Sequence, residues 1–315
     1  MAAKVTKIAI CITVFNEAET IGLLVSALRH QTLSPTEVVI TDGGSVDATF
    51  SLLHQAAKSW PKLKVFKHPG NRSVGRNFAV SHITCPIIAF TDAGCTPRPD
   101  WLEKLAQPFR EKKTQIVSGY YEGQATTIFH ACLIPFVLVM PDKAGRSEFY
   151  PATRSMALRR HVWNLSGGFD PGLFHNEDYA FAHHLKHLGF SFTFAPQAIV
   201  TWLPRKKLHQ ASWMFMRFAI GDIQAGIIRP RIKLLVIRYL VFIFGFFLLL
   251  EVNPRFILHY SFLIILAYSL WAIAKNYRYV KDPRAFFWLP VLQVTADLSV
   301  LFGSLVGLLS KAWAI

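Results

Sequence analysis

The hydrophobic residues in the first part of the chain form short apolar runs, separated by segments with helical spacing. The near-continuous hydrophobicity of the runs is typical of strands buried on both faces of a parallel sheet. The runs span 7–15, 37–41, 63–67 and 86–92. The segments predicted to be helices span 18–30, 46–60 and 73–83. This alternation predicts a doubly wound α/β domain with a mostly parallel, Rossmann-like sheet and helices on both faces.

The pattern is less regular further along the chain. Two helices are predicted, at 99–109 and 176–190. The predicted strands span 115–122, 154–160, 192–196 and 198–202. The apolar stretch 126–140 is short and is interrupted by His130 and Pro135, which favours a buried or membrane-facing helix over a membrane span.

The character of the chain changes after Arg205. Segment 208–228 mixes apolar, basic, Trp and Met residues, which is typical of a helix in a membrane interface. Three apolar segments follow, each close to the ~20 residues that span a bilayer. They cover 234–250, 256–273 and 286–309. The predicted organisation is therefore an α/β domain, an amphipathic interfacial segment and an all-α transmembrane domain of about three helices, at 1–205, 206–233 and 234–315.

Basic residues predict the orientation in the membrane. They are dense before the first apolar segment, and the link between the second and third segments carries Lys275, Arg278, Lys281 and Arg284. Because cytoplasmic loops are enriched in Lys and Arg, we expect the α/β domain of an integral cytoplasmic-membrane protein to lie on the cytoplasmic side. No signal-peptide pattern contradicts this. Asp297 lies within the third segment, either as a functional carboxylate or as a packing partner of a neighbouring span.

The composition agrees with a membrane protein. Hydrophobic residues make up 52% of the chain, mean hydropathy is +0.31 and the net charge is +15. Because the basic residues cluster beside the apolar tail, they suit anionic lipid head groups, and nucleic acid is not an expected partner. The four cysteines are scattered without metal-ligand spacing, which favours reduced thiols.

Candidate functional residues follow the ends of predicted strands. They are Phe15, Asn16, Glu17, Asp42, Gly43, Asp92 and Ala93. The carboxyl ends of parallel strands form one rim, where ligands of such sheets bind. The acids Glu177 and Asp178 open a later helix. One acid at a helix start is often only a cap, but four such segments in order indicate a binding site.

These segments, "FNEAETI", "TDGGSVDAT", "TDAGC" and "NEDYAFA", resemble the inverting glycosyltransferases of family 2, which have the GT-A fold. The resemblance extends from Ile8 to Arg205, and with the apolar tail the chain is similar to membrane-anchored members. It implies transfer of a sugar from a UDP- or GDP-linked donor to a lipid or polyprenyl-linked acceptor. Processive synthases carry a QxxRW motif, which "HQASWMFMRF" lacks, so single-sugar transfer is favoured.

The resemblance also implies roles for individual residues. Asp42 would contact the nucleotide base, and Phe15 and Glu17 would line that pocket. Asp92 stands at the first position of the DxD motif, which holds Mg²⁺ or Mn²⁺ on the diphosphate. Asp178 stands at the position of the catalytic base, with Glu177 beside it. The other expected donor-binding residues are Asn16, Gly43, Arg72, Arg76, Asn77 and Ala93.

Two departures from the family pattern remove expected metal ligands. Gly94 replaces the second Asp of DxD, and Trp202 lies near where many members carry a histidine. His175 and His209 are possible replacements. Because Mg²⁺ keeps several waters, Asp92 and the diphosphate can be enough to hold it, and metal dependence stays open.

Two alternative functions remain at this point. The departures at Gly94 and Trp202 suit a catalytically silent membrane scaffold or binding protein that kept the fold. A nucleotidyltransferase would be expected to show a glycine-rich, basic signature near the N-terminus, which "VFNEAET" does not supply.

Overall fold

A computed structural model describes residues 7–145, 149–252 and 257–313 of the chain. It divides into two units. The first comprises Met1–Glu122 and Val139–Leu203, and the second comprises Gly123–Leu138 and Pro204–Ile315. Segment 123–138, which the sequence pattern assigned to the α/β domain, thus groups with the C-terminal helices.

The first unit is built on a mixed eight-stranded sheet. Its strands are β1 (Ile8–Val14), β2 (Glu37–Asp42), β3 (Leu63–Lys67), β4 (Ile87–Phe90), β5 (Cys95–Pro97), β6 (Ile116–Gly123), β7 (Met156–Arg159) and β8 (Phe192–Trp202). The helices of this unit are α1 (Ile21–Arg29), α2 (Thr49–Ser59), α3 (Arg72–Ser81), α4 (Trp101–Ala106), α6 (Arg160–Ser166) and α7 (Glu177–His187). A 3₁₀ turn at Gln107–Arg110 follows α4.

The sheet has the order β3-β2-β1-β4-β7-β6-β8-β5. The first four strands are parallel, as their apolar runs predicted, and β2 is buried at every position. Beyond β4, β7 runs antiparallel between β4 and β6, and β5 pairs antiparallel with β8. The two strands predicted at 192–196 and 198–202 are one continuous strand, β8, in which Pro196 and Gln197 are exposed.

An aromatic core fixes the helices that carry the candidate site. Phe90 of β4 packs beside Phe169, and Phe169 lies against Phe181 of α7 with ring centroids 4.4 Å apart. All three side chains are at most 3% exposed. Truncating such a side chain costs about 3–5 kcal/mol, so this core holds the start of α7 beside the sheet.

The second unit is helical. It contains α5 (Ile128–Val137), α8 (Leu208–Gln224), α9 (Pro230–Val252), α10 (Ile257–Val280) and α11 (Ala285–Trp313). Three of its helices are long and apolar enough to cross a membrane, over Ile232–Glu251, Leu258–Val280 and Ala285–Lys311. The three predicted apolar segments correspond to them, although residue 256 lies outside the described residues. The short helix α5 packs against α10 and α11.

A buried ion pair joins the three long helices. The Asp297 carboxylate of α11 accepts hydrogen bonds from Arg238 of α9, Tyr268 of α10 and Gln293 of its own helix. The Arg238 guanidinium also lies over the ring of Trp271, 5.0 Å from its centroid. Because an unpaired charge is costly inside a bilayer, these contacts supply what the packing interpretation of Asp297 requires.

Helix α8 packs closely along α11 because glycines face it. A Cβ atom on Gly303 would lie 2.5 Å from the Met216 carbonyl oxygen, and one on Gly307 would lie 2.9 Å from the Ile223 side chain. Small residues four positions apart allow two helices to approach in this way.

We expect Gly303→Leu to separate α8 from α11 and to destabilise the second unit by about 1–3 kcal/mol. The matched control is Gly245→Leu on α9, where a new Cβ meets nothing within 4 Å. Thermal unfolding in detergent measures both variants. Equal unfolding temperatures of the two variants would contradict the close packing of α8 against α11.

Candidate active site

One end of the candidate site is organised by Asp42, at the end of β2. Its side chain is fully buried, and Oδ1 accepts hydrogen bonds from the backbone N–H groups of Gly44 (2.8 Å) and Ser45 (2.6 Å). The other carboxylate oxygen, Oδ2, has no partner among the described residues. A buried acceptor without a donor is unfavourable. Oδ2 of Asp42 is therefore available to accept a hydrogen bond from an N–H or O–H group of a ligand.

The turn after β1 is tied to the turn after β2. Asn16 has a left-handed backbone (φ 54°), its N–H donates to Ser45 Oγ (2.9 Å), and its side-chain oxygen accepts from the Val46 N–H (3.0 Å). The Glu17 N–H donates to Thr49 Oγ1 (2.8 Å). The two turns therefore form one preorganised surface, from which the Phe15 ring is 58% exposed.

Gly43 and Asn77 hold backbone segments at this rim. A Cβ on Gly43 would lie 3.1 Å from the Gly70 carbonyl oxygen, so a larger residue would push the two loops apart. The Asn77 side chain donates to the Phe169 carbonyl (2.8 Å) and accepts from the Phe169 N–H (2.9 Å). Asn77 thus fastens α3 to the segment that leads into α7.

Arg76 of α3 is the centre of the candidate site. Its guanidinium donates to Glu177 Oε1 (2.6 Å), Asp92 Oδ1 (2.9 Å) and Thr153 Oγ1 (3.0 Å). The Arg76 and Glu177 side chains are each 3% exposed, whereas the Asp92 side chain is 31% exposed. One buried cation therefore links α3, the end of β4 and the start of α7.

Electrostatics keep Asp92 ionised. Burial alone would raise the pKa of the Asp92 carboxyl, but Arg76, Arg154 and Arg72 together hold that pKa below its usual value. The same ion pairs act on Arg76: burial lowers its pKa, and Glu177 and Asp92 more than compensate, so its pKa is raised overall. Arg72, exposed at the start of α3, contributes charge without a direct contact to Asp92.

The pKa of Asp178 is shifted in the opposite direction to that of Asp92. Burial and the adjacent Glu177 carboxylate raise the pKa of Asp178, and Arg154 and Arg76 offset this only in part. Asp178 is half-buried at the first turn of α7, and its Oδ1 accepts from the Tyr179 N–H (2.9 Å). The preceding Asn176 is left-handed (φ 56°), which turns the chain sharply into the helix.

Glu17 and Asp92 follow the parallel strands β1 and β4, so they lie at the same end of the sheet. Burial raises the pKa of the Cys95 thiol at the start of β5, and Asp92 and Glu17 raise it further. Both carboxylates therefore lie near the same thiol. Ala93, between Asp92 and Gly94, is buried.

Arg154 and Thr153 belong to this site, although the sequence pattern did not single them out. The Arg154 guanidinium lies over the rings of Tyr121 (5.4 Å to the centroid) and Trp202 (5.7 Å). The apolar pattern of residues 154–160 predicts a strand and gives no role to the arginine at its start. No local signal separates it from the arginines at the other end of that strand, which bind backbone carbonyls.

The side chains present do not make a protein-held metal site. Asp92 is the one carboxylate of the "DAG" segment, and its Oδ1 is engaged by Arg76. Gly94 and Trp202 supply no ligand atom. His175 precedes α7 and His209 lies in the second unit, and no group of three or more His, Cys, Asp or Glu residues in the described ranges is placed to hold a metal ion.

Comparison with known proteins identifies the family. Residues 9–163 match Glycosyl transferase family 2. The α/β domain belongs to this family. Among curated proteins, this glycosyltransferase is 24% identical over 209 residues to the glycosyltransferase AglE of Haloferax volcanii, covering 63% of this chain and 67% of that protein. It is also 25% identical over 167 residues, half of each chain, to an undecaprenyl-phosphate 4-deoxy-4-formamido-L-arabinose transferase of Yersinia enterocolitica.

A solved structure shows the same fold. The mannosyltransferase PcManGT of Pyrobaculum calidifontis, determined with GDP-Man and Mn²⁺, superposes on this glycosyltransferase with a TM-score of 0.59 and 18% identity, over 94% of this chain and 87% of that one. The predicted family, enzyme class and GT-A fold with a C-terminal helical region are thereby confirmed.

We expect Asp178→Asn to stabilise the protein at neutral pH. The folded state raises the pKa of Asp178, so the wild type loses stability as the pH rises and this group ionises. The gain from Asn should shrink as the pH falls, because wild-type Asp178 is then protonated as well.

The matched control is Asp170→Asn, at an exposed aspartate whose Oδ1 accepts from the Gly172 N–H (2.8 Å). Thermal unfolding across the acidic range measures both variants. A gain in stability that does not depend on pH would contradict the raised pKa of Asp178 in the folded protein.

Proposed function

We propose that this enzyme transfers a single sugar from a nucleotide-diphosphate donor to a lipid or lipid-linked acceptor, inverting the anomeric carbon, at the cytoplasmic face of the membrane. The observation that carries the proposal is the contrast among three acids on one rim. Glu177 is paired with Arg76, Asp92 is held ionised, and Asp178 is a half-buried carboxyl with a raised pKa.

The rim around Asp42 is proposed to bind the nucleotide. The unpaired Oδ2 of Asp42 can accept a hydrogen bond from the N–H of a base, and the exposed Phe15 ring offers an apolar surface beside it. Gly43 lets this loop lie close to the Gly70 carbonyl beside Asp42. Both UDP- and GDP-linked donors satisfy these groups, and PcManGT was determined with GDP-Man.

Asp178 is proposed to be the general base. In a single displacement, the acceptor oxygen attacks the anomeric carbon and gives its proton to the base while the nucleotide diphosphate leaves from the opposite face. A carboxyl with a raised pKa is a better base near neutral pH. Glu177 acts through Arg76 and is proposed to position the site.

The three apolar helices support a lipid acceptor. A chain that carries them next to a glycosyltransferase domain is suited to a substrate that stays in the membrane. The Yersinia relative is named for transfer to undecaprenyl phosphate, which makes a polyprenyl phosphate one candidate and a lipid hydroxyl another. Basic residues in the loop between α10 and α11 support the cytoplasmic orientation.

We expect Asp178→Asn to lower transfer to a hydroxyl acceptor by about 10²–10⁴-fold, because the proton acceptor is lost. Nucleotide binding should persist. Incorporation of labelled sugar from UDP- and GDP-sugars into membrane lipids measures transfer, and calorimetry measures binding.

The matched control for this experiment is again Asp170→Asn, which should transfer at the wild-type rate. Wild-type transfer by Asp178→Asn to a hydroxyl acceptor would remove Asp178 from the mechanism. If well-folded wild-type protein binds neither UDP nor GDP, the proposed function itself is wrong.

A further inference from the structure

Arg154 is a cation at the active site with no anionic partner of its own. It follows Thr153, whose hydroxyl is bound by Arg76, and it lies two residues before β7. Within the described ranges its guanidinium forms no hydrogen bond and no ion pair. Its observed contacts are the two aromatic faces of Tyr121 and Trp202. Such faces hold a guanidinium in place and leave its N–H donors free.

The acids of the candidate site act electrostatically on Arg154. Asp92 is the strongest of the charges that raise the pKa of Arg154 against the lowering effect of burial, and Asp178 acts in the same direction. Neither carboxylate lies within 4 Å of the guanidinium, whereas Arg76 contacts Asp92 directly. The N–H donors of the Arg154 guanidinium are therefore available to an anion that binds between Arg154 and the acids.

One of the two residues that depart from the expected metal-ligand pattern, Trp202, contacts Arg154. Trp202, which lies near where the family resemblance leads us to expect a histidine, supplies one of the two aromatic faces that contact Arg154. Strand pairing places Trp202 opposite Cys95, one residue after Gly94, where the second carboxylate of a DxD motif is missing. Asp92, the remaining carboxylate, is bound to Arg76. One cationic side chain thus occupies the part of the site where metal ligands are absent.

We propose that Arg154 binds the diphosphate of the sugar donor and neutralises its charge, so that the donor binds without a divalent cation. A planar guanidinium fork matches two phosphate oxygens and carries a permanent positive charge. This inference rests on the proposed function, because it assumes a nucleotide-diphosphate donor.

Arg154 and Asp178 act on opposite sides of the transfer, at the leaving group and at the acceptor. The bond between the anomeric carbon and the phosphate oxygen breaks, and its electron pair stays on the diphosphate. Arg154 stabilises the negative charge that develops there. The acceptor oxygen forms the new bond to the anomeric carbon, and its proton passes to Asp178.

The test is calorimetric titration of the detergent-solubilised full chain with UDP and with GDP, in EDTA and in Mn²⁺. We expect one nucleotide to bind the wild type equally in both buffers. Arg154→Met should weaken this binding roughly ten- to a hundredfold, as loss of charged hydrogen bonds does, and Mn²⁺ should not restore it. The control Arg98→Met removes an arginine whose partner is the exposed Glu122, and it should bind as the wild type does.

The outcomes separate this inference from the proposed function. Binding by the wild type only in Mn²⁺ would overturn the role of Arg154 and leave the function standing. Unchanged affinity in Arg154→Met would also overturn it, whereas no binding of either nucleotide by folded wild type would overturn both.

Two further measurements distinguish a direct role of Arg154 from structural damage caused by the substitution. If Arg154→Met unfolds, Arg154→Lys keeps the charge and loses the planar guanidinium. This variant should bind the diphosphate more weakly than the wild type does. Wild-type affinity would contradict the proposal. Binding of the free nucleoside, followed by NMR, should be the same in the wild type and the folded variant. A parallel loss of nucleoside binding would indicate structural damage to the pocket and overturn a specific role at the diphosphate.

Discussion

The candidate active site depends on the burial of one arginine between two acids. Arg76 is almost entirely removed from solvent, and its guanidinium is shared between Glu177, Asp92 and the Thr153 hydroxyl. Removing a guanidinium from water costs several kcal/mol, which only close, hydrogen-bonded carboxylates can offset. Helix α3 approaches the sheet closely because Gly75 faces Thr13, where a Cβ would lie 2.5 Å from Oγ1. The ion pair therefore forms only when α3, β4 and α7 are all in place.

This arrangement divides the charges of the site into different roles. Glu177 is paired with Arg76. Burial and the neighbouring Glu177 carboxylate raise the pKa of Asp178. Asp92 is surrounded by arginines and stays ionised. Burial and ion pairing thus give the three acids different states: Glu177 is paired with Arg76, Asp92 is ionised, and Asp178 has a raised pKa. In this account Arg154 is the cation left over for a ligand.

The periodicity of the sequence predicted much of this fold because its signals are local. Four buried strands with helices between them could be recognised from apolar runs, and their carboxyl ends located Asp42 and Asp92 on one rim. Glu177 and Asp178 were found from a motif at a helix start.

The remaining features depend on contacts between residues far apart in the sequence. Arg76 and Glu177 are 101 positions apart, so nothing near Arg76 distinguishes a buried ion pair from a solvated helix start. Arg154 stands at the start of a strand, and its role emerges only when Tyr121 and Trp202 are placed against it. Segment 123–138 groups with the C-terminal helices through tertiary packing, which its own apolar pattern does not reveal.

A double-mutant cycle on Arg76 and Glu177 tests the central interaction most directly, with thermal unfolding of Arg76→Met, Glu177→Gln and the double variant at neutral pH. We predict that each single substitution costs about 3–5 kcal/mol and that the double variant costs clearly less than their sum, because neither charge is then left unpaired. Additive losses would contradict the claim that this ion pair organises the site.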